Sequence, residues 1–72
     1  MASVLPIKDL PKGIRKAYQE FLSALSAKQE MPARKALGTV LEHYTAESQE
    51  IPAEIEINYA RLLALELTTR KN

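Results

Sequence analysis

Ile57-Asn58-Tyr59-Ala60-Arg61-Leu62-Leu63-Ala64-Leu65-Glu66-Leu67 is the most apolar run in the chain. Stepped at about 100° per residue from Ile55, the residues Ile55, Tyr59, Leu62, Leu63, Leu67, Ala60, Ala53, Ala64 and Ile57 fill an arc of roughly 220° on a helical wheel. A helix lying on one neighbour needs an apolar stripe of only ~100° or a little more. This helix therefore calls for two neighbours. Leu65 falls outside the arc, on the side of Glu54, Asn58 and Arg61. Leu65, Leu67 and Arg61 are accordingly the candidate partner-binding residues. Glu66 lands between Tyr59 and Ile55; it either reaches water past the end of the core or meets a cation across an interface, and Arg70 is one cation within a helical turn.

Two further segments have helical periodicity. Ile14, Ala17, Tyr18, Phe21, Leu22, Ala24 and Leu25 form a continuous stripe over about 11–28, with Pro11 placed where a missing N–H costs nothing. Ala33, Ala36, Leu37, Val40, Leu41 and Tyr44 form a second stripe over about 32–47, which Pro32 opens; Pro52 opens the third helix, about 52–70. Met31-Pro32-Ala33 and Ile51-Pro52-Ala53 share one pattern, too short to be a repeat. Short connections make consecutive helices antiparallel neighbours. The expected fold is all-α, a small up-down-up three-helix bundle occupying 1–72 as one domain. Residues 1–9 read as an extended N-terminal arm, because Pro6 excludes a helix interior there while Val4, Leu5 and Ile7 give it apolar groups to dock.

Composition narrows the function classes. A chain of 72 residues buries a smaller share of its surface than a larger domain, so oligomerisation or a partner is an expected support. There is no cysteine, hence no disulfide and no thiolate metal site, and one histidine does not build a zinc site. No charge-free apolar run approaches the ~20 residues of a membrane span, and the first ten residues lack the layout of a secretion signal; the expectation is a cytoplasmic protein. Net charge is +1, but residues 1–36 carry seven Lys/Arg against three Asp/Glu (+4) and residues 37–72 carry three against six (−3). Such asymmetry can orient self-association or steer a charged partner.

Groups suited to catalysis are scarce. His43 sits at the border of the second stripe, the usual place of a half-buried helix residue. Glu42, Glu47, Glu50, Glu54 and Glu56 make an acidic stretch without calcium-loop spacing, which reads as a solvated acidic surface or a dock for a basic partner. Gly13 and Gly38 are too far apart for a phosphate loop. No enzyme, cofactor, metal site or small-molecule substrate is expected.

Lys8, Lys12, Arg15 and Lys16 crowd the start of the first helix, offset only by Asp9. Free N–H groups at a helix N-terminus favour anions, so cations there are slightly unfavourable unless an anion binds. These four residues are the candidate contacts for an anion or nucleic acid. Tyr18 and Phe21 belong to the apolar stripe, which argues against a single-strand stacking platform.

The order Val4-Leu5-Pro6-Ile7-Lys8, then helix one, then Ala33-Arg34-Lys35-Ala36-Leu37 loosely resembles that of ribbon-helix-helix repressors and antitoxins. Pro6 lacks the N–H a central paired strand needs, the first helix is longer, and no serine-arginine-serine turn opens the second; membership is not assigned. The leading functional expectation is a small helical adaptor, inhibitor or regulator that binds a protein partner or a second copy. The alternative is a dimeric DNA-binding regulator or antitoxin-like protein that uses the basic start of helix one.

Overall fold

The computed structural model describes residues 4–70, with the backbone alone at 69 and 70. It is all-α. A short 3-10 turn, Ile7–Asp9, precedes α1 (Lys12–Ser26), α2 (Glu30–Ala46) and α3 (Ala53–Arg70), and no strand occurs among the described residues. The expected arm lies partly outside the described residues, at 1–3. Over 4–10 the chain makes one parallel bridge, Val4 to Glu50, then enters the 3-10 turn and buries Leu10. The Leu5 N–H donates to the Glu50 carbonyl at 3.3 Å, and the Tyr44 hydroxyl donates to the Leu5 carbonyl at 2.7 Å. This segment is thereby tied to the last turn of α2 and to the α2–α3 connection.

Helices α1 and α2 pack most extensively. Ala17, Tyr18, Phe21 and Ala24 of α1 meet Ala33, Leu37, Val40 and Tyr44 of α2, all buried and at the spacing their apolar stripes predict. The alanines matter as much as the rings, because small side chains at the crossing let the large ones of the facing helix interdigitate. Ile55 and Leu62 of α3 complete the core from below.

Both connections close with the same device. After α1 the Gln29 N–H bonds the Ala24 carbonyl at 2.8 Å and the Lys28 N–H bonds Leu25; after α2 the Gln49 N–H bonds Tyr44 at 3.0 Å and the Ser48 N–H bonds Thr45. These are Schellman caps, which place one residue in the left-handed region, usually glycine. Here those residues are Lys28 (φ 59°) and Ser48 (φ 53°). The capped first connection is so short that α2 starts at Glu30, two residues ahead of Pro32, which sits within the first turn where its lacking N–H breaks no helical bond. Pro52 instead lies just outside α3, and its carbonyl accepts from Ile55 and Glu56.

Left-handed backbone at a residue with a Cβ is strained. Lys28→Gly and Ser48→Gly are each expected to raise stability by roughly 0.5–1 kcal/mol, the strain released less the extra freedom of glycine in the unfolded chain. Urea unfolding at constant m-value measures this; midpoints that stay put or fall would mean the two side chains stabilise more than their backbone strain costs.

Candidate interaction surface

The third helix does not bury the face its apolar residues suggest. Ile55, Asn58 and Leu62 are buried and Leu65 and Glu66 half-buried, a seam running i, i+3, i+7, i+10 and i+11. The cause is Asn58, a polar residue that is only 8% exposed. Its Nδ2 donates to the Tyr18 hydroxyl and to the Glu54 carbonyl, each at 3.0 Å, while Tyr18 donates to Glu54 Oε2 at 2.9 Å. Arg61 closes the group by donating to Asn58 Oδ1 at 3.4 Å. A buried amide needs its partners, and the one outside α3 is the Tyr18 hydroxyl on α1, so α3 is turned with Asn58 toward that helix.

On the other side of the seam Glu66 finds its cation. Arg34 of α2 donates through Nε at 2.8 Å and through a terminal nitrogen to the same oxygen, Glu66 Oε2, and reaches Glu30 at 3.8 Å. The partner of Glu66 is therefore in the same chain, on a neighbouring helix, and the pairing pushes the Arg34 guanidinium pKa upward from its ordinary value.

With these two contacts setting the rotation, the remaining apolar residues of α3 face outward. Tyr59, Leu63, Leu67 and Ile57 are 39%, 46%, 73% and 56% exposed, with exposed Ala60 and Ala64 among them. On one flank Tyr59 and Leu63 border a groove of about 250 Å³ whose opposite wall is Leu37, Gly38 and Leu41 of α2, with the Arg34–Glu66 pair at one end. A Cβ added at Gly38 would meet nothing within 4 Å, so no contact inside the chain requires glycine there.

Of the sequence-predicted partner residues, Leu65 and Arg61 share one groove and Leu67 lies apart. Leu65 packs half-buried against the core and, with Arg61, lines a groove of about 420 Å³ between α1 and α3, beside Leu22, Leu25 and Lys28. Leu67 stands alone of the three on the outward face. Periodicity alone puts Tyr59, Leu63 and Ile57 on the apolar arc that calls for neighbours, and the structure leaves them exposed. The signal that relocates them is the lone Asn58 interrupting the opposite side, which reads as surface on a wheel and as an anchor once its partners are known.

The basic cluster is partly gathered. Lys12, Arg15 and Lys16, with Gln19, surround a shallow hollow of about 390 Å³ at the start of α1, where no acidic residue occupies the first turn and no side chain caps the helix. Lys8 is exposed on the preceding 3-10 turn and is not part of that hollow. His43 is half-buried with its ring edge-on to Tyr44, centroids 6.3 Å apart. Among the described residues no cluster of three His, Asp or Glu side chains is placed to hold a metal ion, and no helix is long and apolar enough to cross a membrane. No protein-family model, curated protein or solved structure matches this chain.

Burial, reinforced by Glu54, pushes the Tyr18 phenol up from 10.0 to about 12. The folded protein holds this proton more tightly than the unfolded chain. Its contribution is therefore complete below the ordinary value of 10.0 and is lost as pH climbs through about 12. Burial shifts Tyr44 in the same direction. Tyr18→Phe should cost about 1–2 kcal/mol at neutral pH, because Asn58 and Glu54 lose a partner, and should flatten part of the alkaline loss. Denaturant titrations at pH 7 and above pH 10 check both; equal stability of variant and wild type at pH 7 would show that the hydroxyl does not hold α3 in place.

Proposed function

We propose that the chain is a small non-catalytic protein-interaction module, an adaptor, inhibitor or regulator that works by presenting the outer face of α3 to another protein surface. In this reading residues 1–72 form one helical domain, with the helices running up, down and up behind the N-terminal arm. A cysteine-free composition fits a reducing compartment such as the cytoplasm. The observation that carries the proposal is the run of Ile57, Tyr59, Leu63 and Leu67 along one helix, all substantially exposed while Asn58 is buried. A chain that only needed to fold would gain by burying the leucines and exposing the amide. Contiguous apolar surface flanked by charge marks a binding site, and an aromatic with two leucines in line is the usual form of a helix that docks against a groove or another helix.

The test is photo-crosslinking in the source cell. A photoreactive residue at Ala60, on the exposed face, should give protein adducts; the same residue at Gln19, on the far side, should not. Leu63→Glu should remove the Ala60 adducts while leaving helical circular dichroism unchanged. Absence of any protein adduct from position 60, or equal adducts from 60 and 19, would rule the reading out.

A second reading, a DNA-binding regulator, is favoured by the hollow that Lys12, Arg15 and Lys16 surround. Phosphate contacts by three cations imply that log K for duplex DNA falls with log salt at a slope near −3. Lys12→Glu with Arg15→Glu should abolish binding. A salt-independent, millimolar affinity would dispose of this second reading without touching the first.

A further inference from the structure

Along the outward face of α3 lie Glu56, Tyr59, Leu63, Leu67 and position 70, an arginine, separated by three, four, four and three residues. The order is the same read from either end. At 100° per residue all five fall within roughly 40° of Leu63 on the helix circumference, so they form one stripe with Leu63 at its midpoint. Its chemistry is opposite at the two tips, carboxylate at 56 and guanidinium at 70, and apolar throughout the middle.

We propose that the occupant of this face is a second copy of the chain, with the two α3 helices packed antiparallel about a two-fold axis through Leu63. This rests on the interaction-module reading and names its partner. A two-fold interface must be complementary to itself: what one copy offers at a position, the other must match at the related position. About Leu63 that condition is met at every step. Leu63 falls opposite Leu63 of the second copy, Tyr59 opposite Leu67, and Glu56 opposite position 70, an arginine, each of the last two occurring twice. The parallel alternative would set Glu56 against Glu56 and Arg70 against Arg70, so the charges select the orientation. A spacing that alternates three and four is also what lets the side chains of two helices interlock along a shared seam.

The surroundings of the stripe agree. Tyr59 is one wall of the groove that Leu37, Gly38 and Leu41 complete, so a Leu67 arriving opposite Tyr59 has open apolar space to enter. Glycine at 38 weakens α2, and its vacant Cβ position has no use within the chain; a second helix lying over the groove gives it one. The one other acid near the stripe, Glu66, is already paired with Arg34, and the two-fold sets it against Ala60 rather than against a like charge.

Sedimentation from micromolar to millimolar concentration should show a reversible dimer. Glu56→Arg and Arg70→Glu should each weaken it at least about tenfold, since each sets like charges together twice, and the double variant should recover it. The chain has no cysteine, so Leu63→Cys should cross-link to itself under mild oxidation. Leu67→Cys alone should not, whereas a mixture of Tyr59→Cys and Leu67→Cys should. Circular dichroism on each variant separates loss of pairing from loss of fold, and the charge variants, which touch no core residue, decide the matter if a cysteine variant fails to fold. A monomer at millimolar concentration, self-linking at 67, or no recovery in the charge-swapped variant would overturn the second copy as occupant. Were such a monomer still to give foreign protein adducts from Ala60, the interaction reading would stand and only the partner would change.

Discussion

The rotation of α3 about its own axis hangs on one buried amide. Asn58 is inside because the Tyr18 hydroxyl and the Glu54 backbone carbonyl accept from it there, and pulling it out would leave the Tyr18 hydroxyl and the amide itself each short of a partner. A net hydrogen bond is worth only about 1 kcal/mol, but a buried donor or acceptor left unmade costs roughly 1–3. Hydrogen bonding thus overrides apolar surface here: burying an exposed leucine would gain about 1.5–3 kcal/mol, and the cluster sets several polar groups against it. Arg34–Glu66 acts from the other flank of the same buried seam. It is exposed and so modest in energy, yet two guanidinium nitrogens converge on one carboxylate oxygen and tie α3 to α2 at this point. Between them the two contacts hold α3 like a plank fastened along one edge, with its greasy side outward.

Much of this fold is legible in the sequence. The stripes of α1 and α2 reappear as side chains that are buried or, at Ile14, Leu22, Leu25, Ala36 and Leu41, partly buried against the core, because both helices are amphipathic in the ordinary way. The third helix was harder. Its apolar arc is so wide that periodicity gives no orientation, and the residues that do orient it, Asn58 and Glu66, are polar ones whose partners lie 40 and 32 residues away in the chain. Helix ends suffered from a different problem. The usual sign of a helix stop, glycine, is absent from both connections, where Lys28 and Ser48 take the left-handed conformation instead, so the second helix starts before the proline that was read as opening it.

The interaction surface divided in the same way. Leu67 is identifiable from its distance beyond the core, and Lys12, Arg15 and Lys16 are neighbours in space because they are neighbours on one helix. Leu65 was placed outward by the wheel and lies instead against α1. A wheel shows which residues share a side, while only the tertiary hydrogen bonds decide which side is in. The exposed apolar face of α3 is therefore a product of the core's polar contacts more than of its own composition.

One last consequence follows from where the beginning of the chain is fastened. The Leu5 N–H bonds the Glu50 carbonyl beside the Val4–Glu50 bridge, closing a ring of more than forty residues, and Tyr44 bonds Leu5, whereas α1 and α2 meet across a connection of three. Ring closure costs entropy that grows with length, and short-range partners find each other first. The α1–α2 hairpin can assemble while the rest is still loose; the latch between the first residues and Glu50 has to await the turn that leads into α3. Assembly order and chain order run together, so the last helix to dock is the one whose outer face stays apolar.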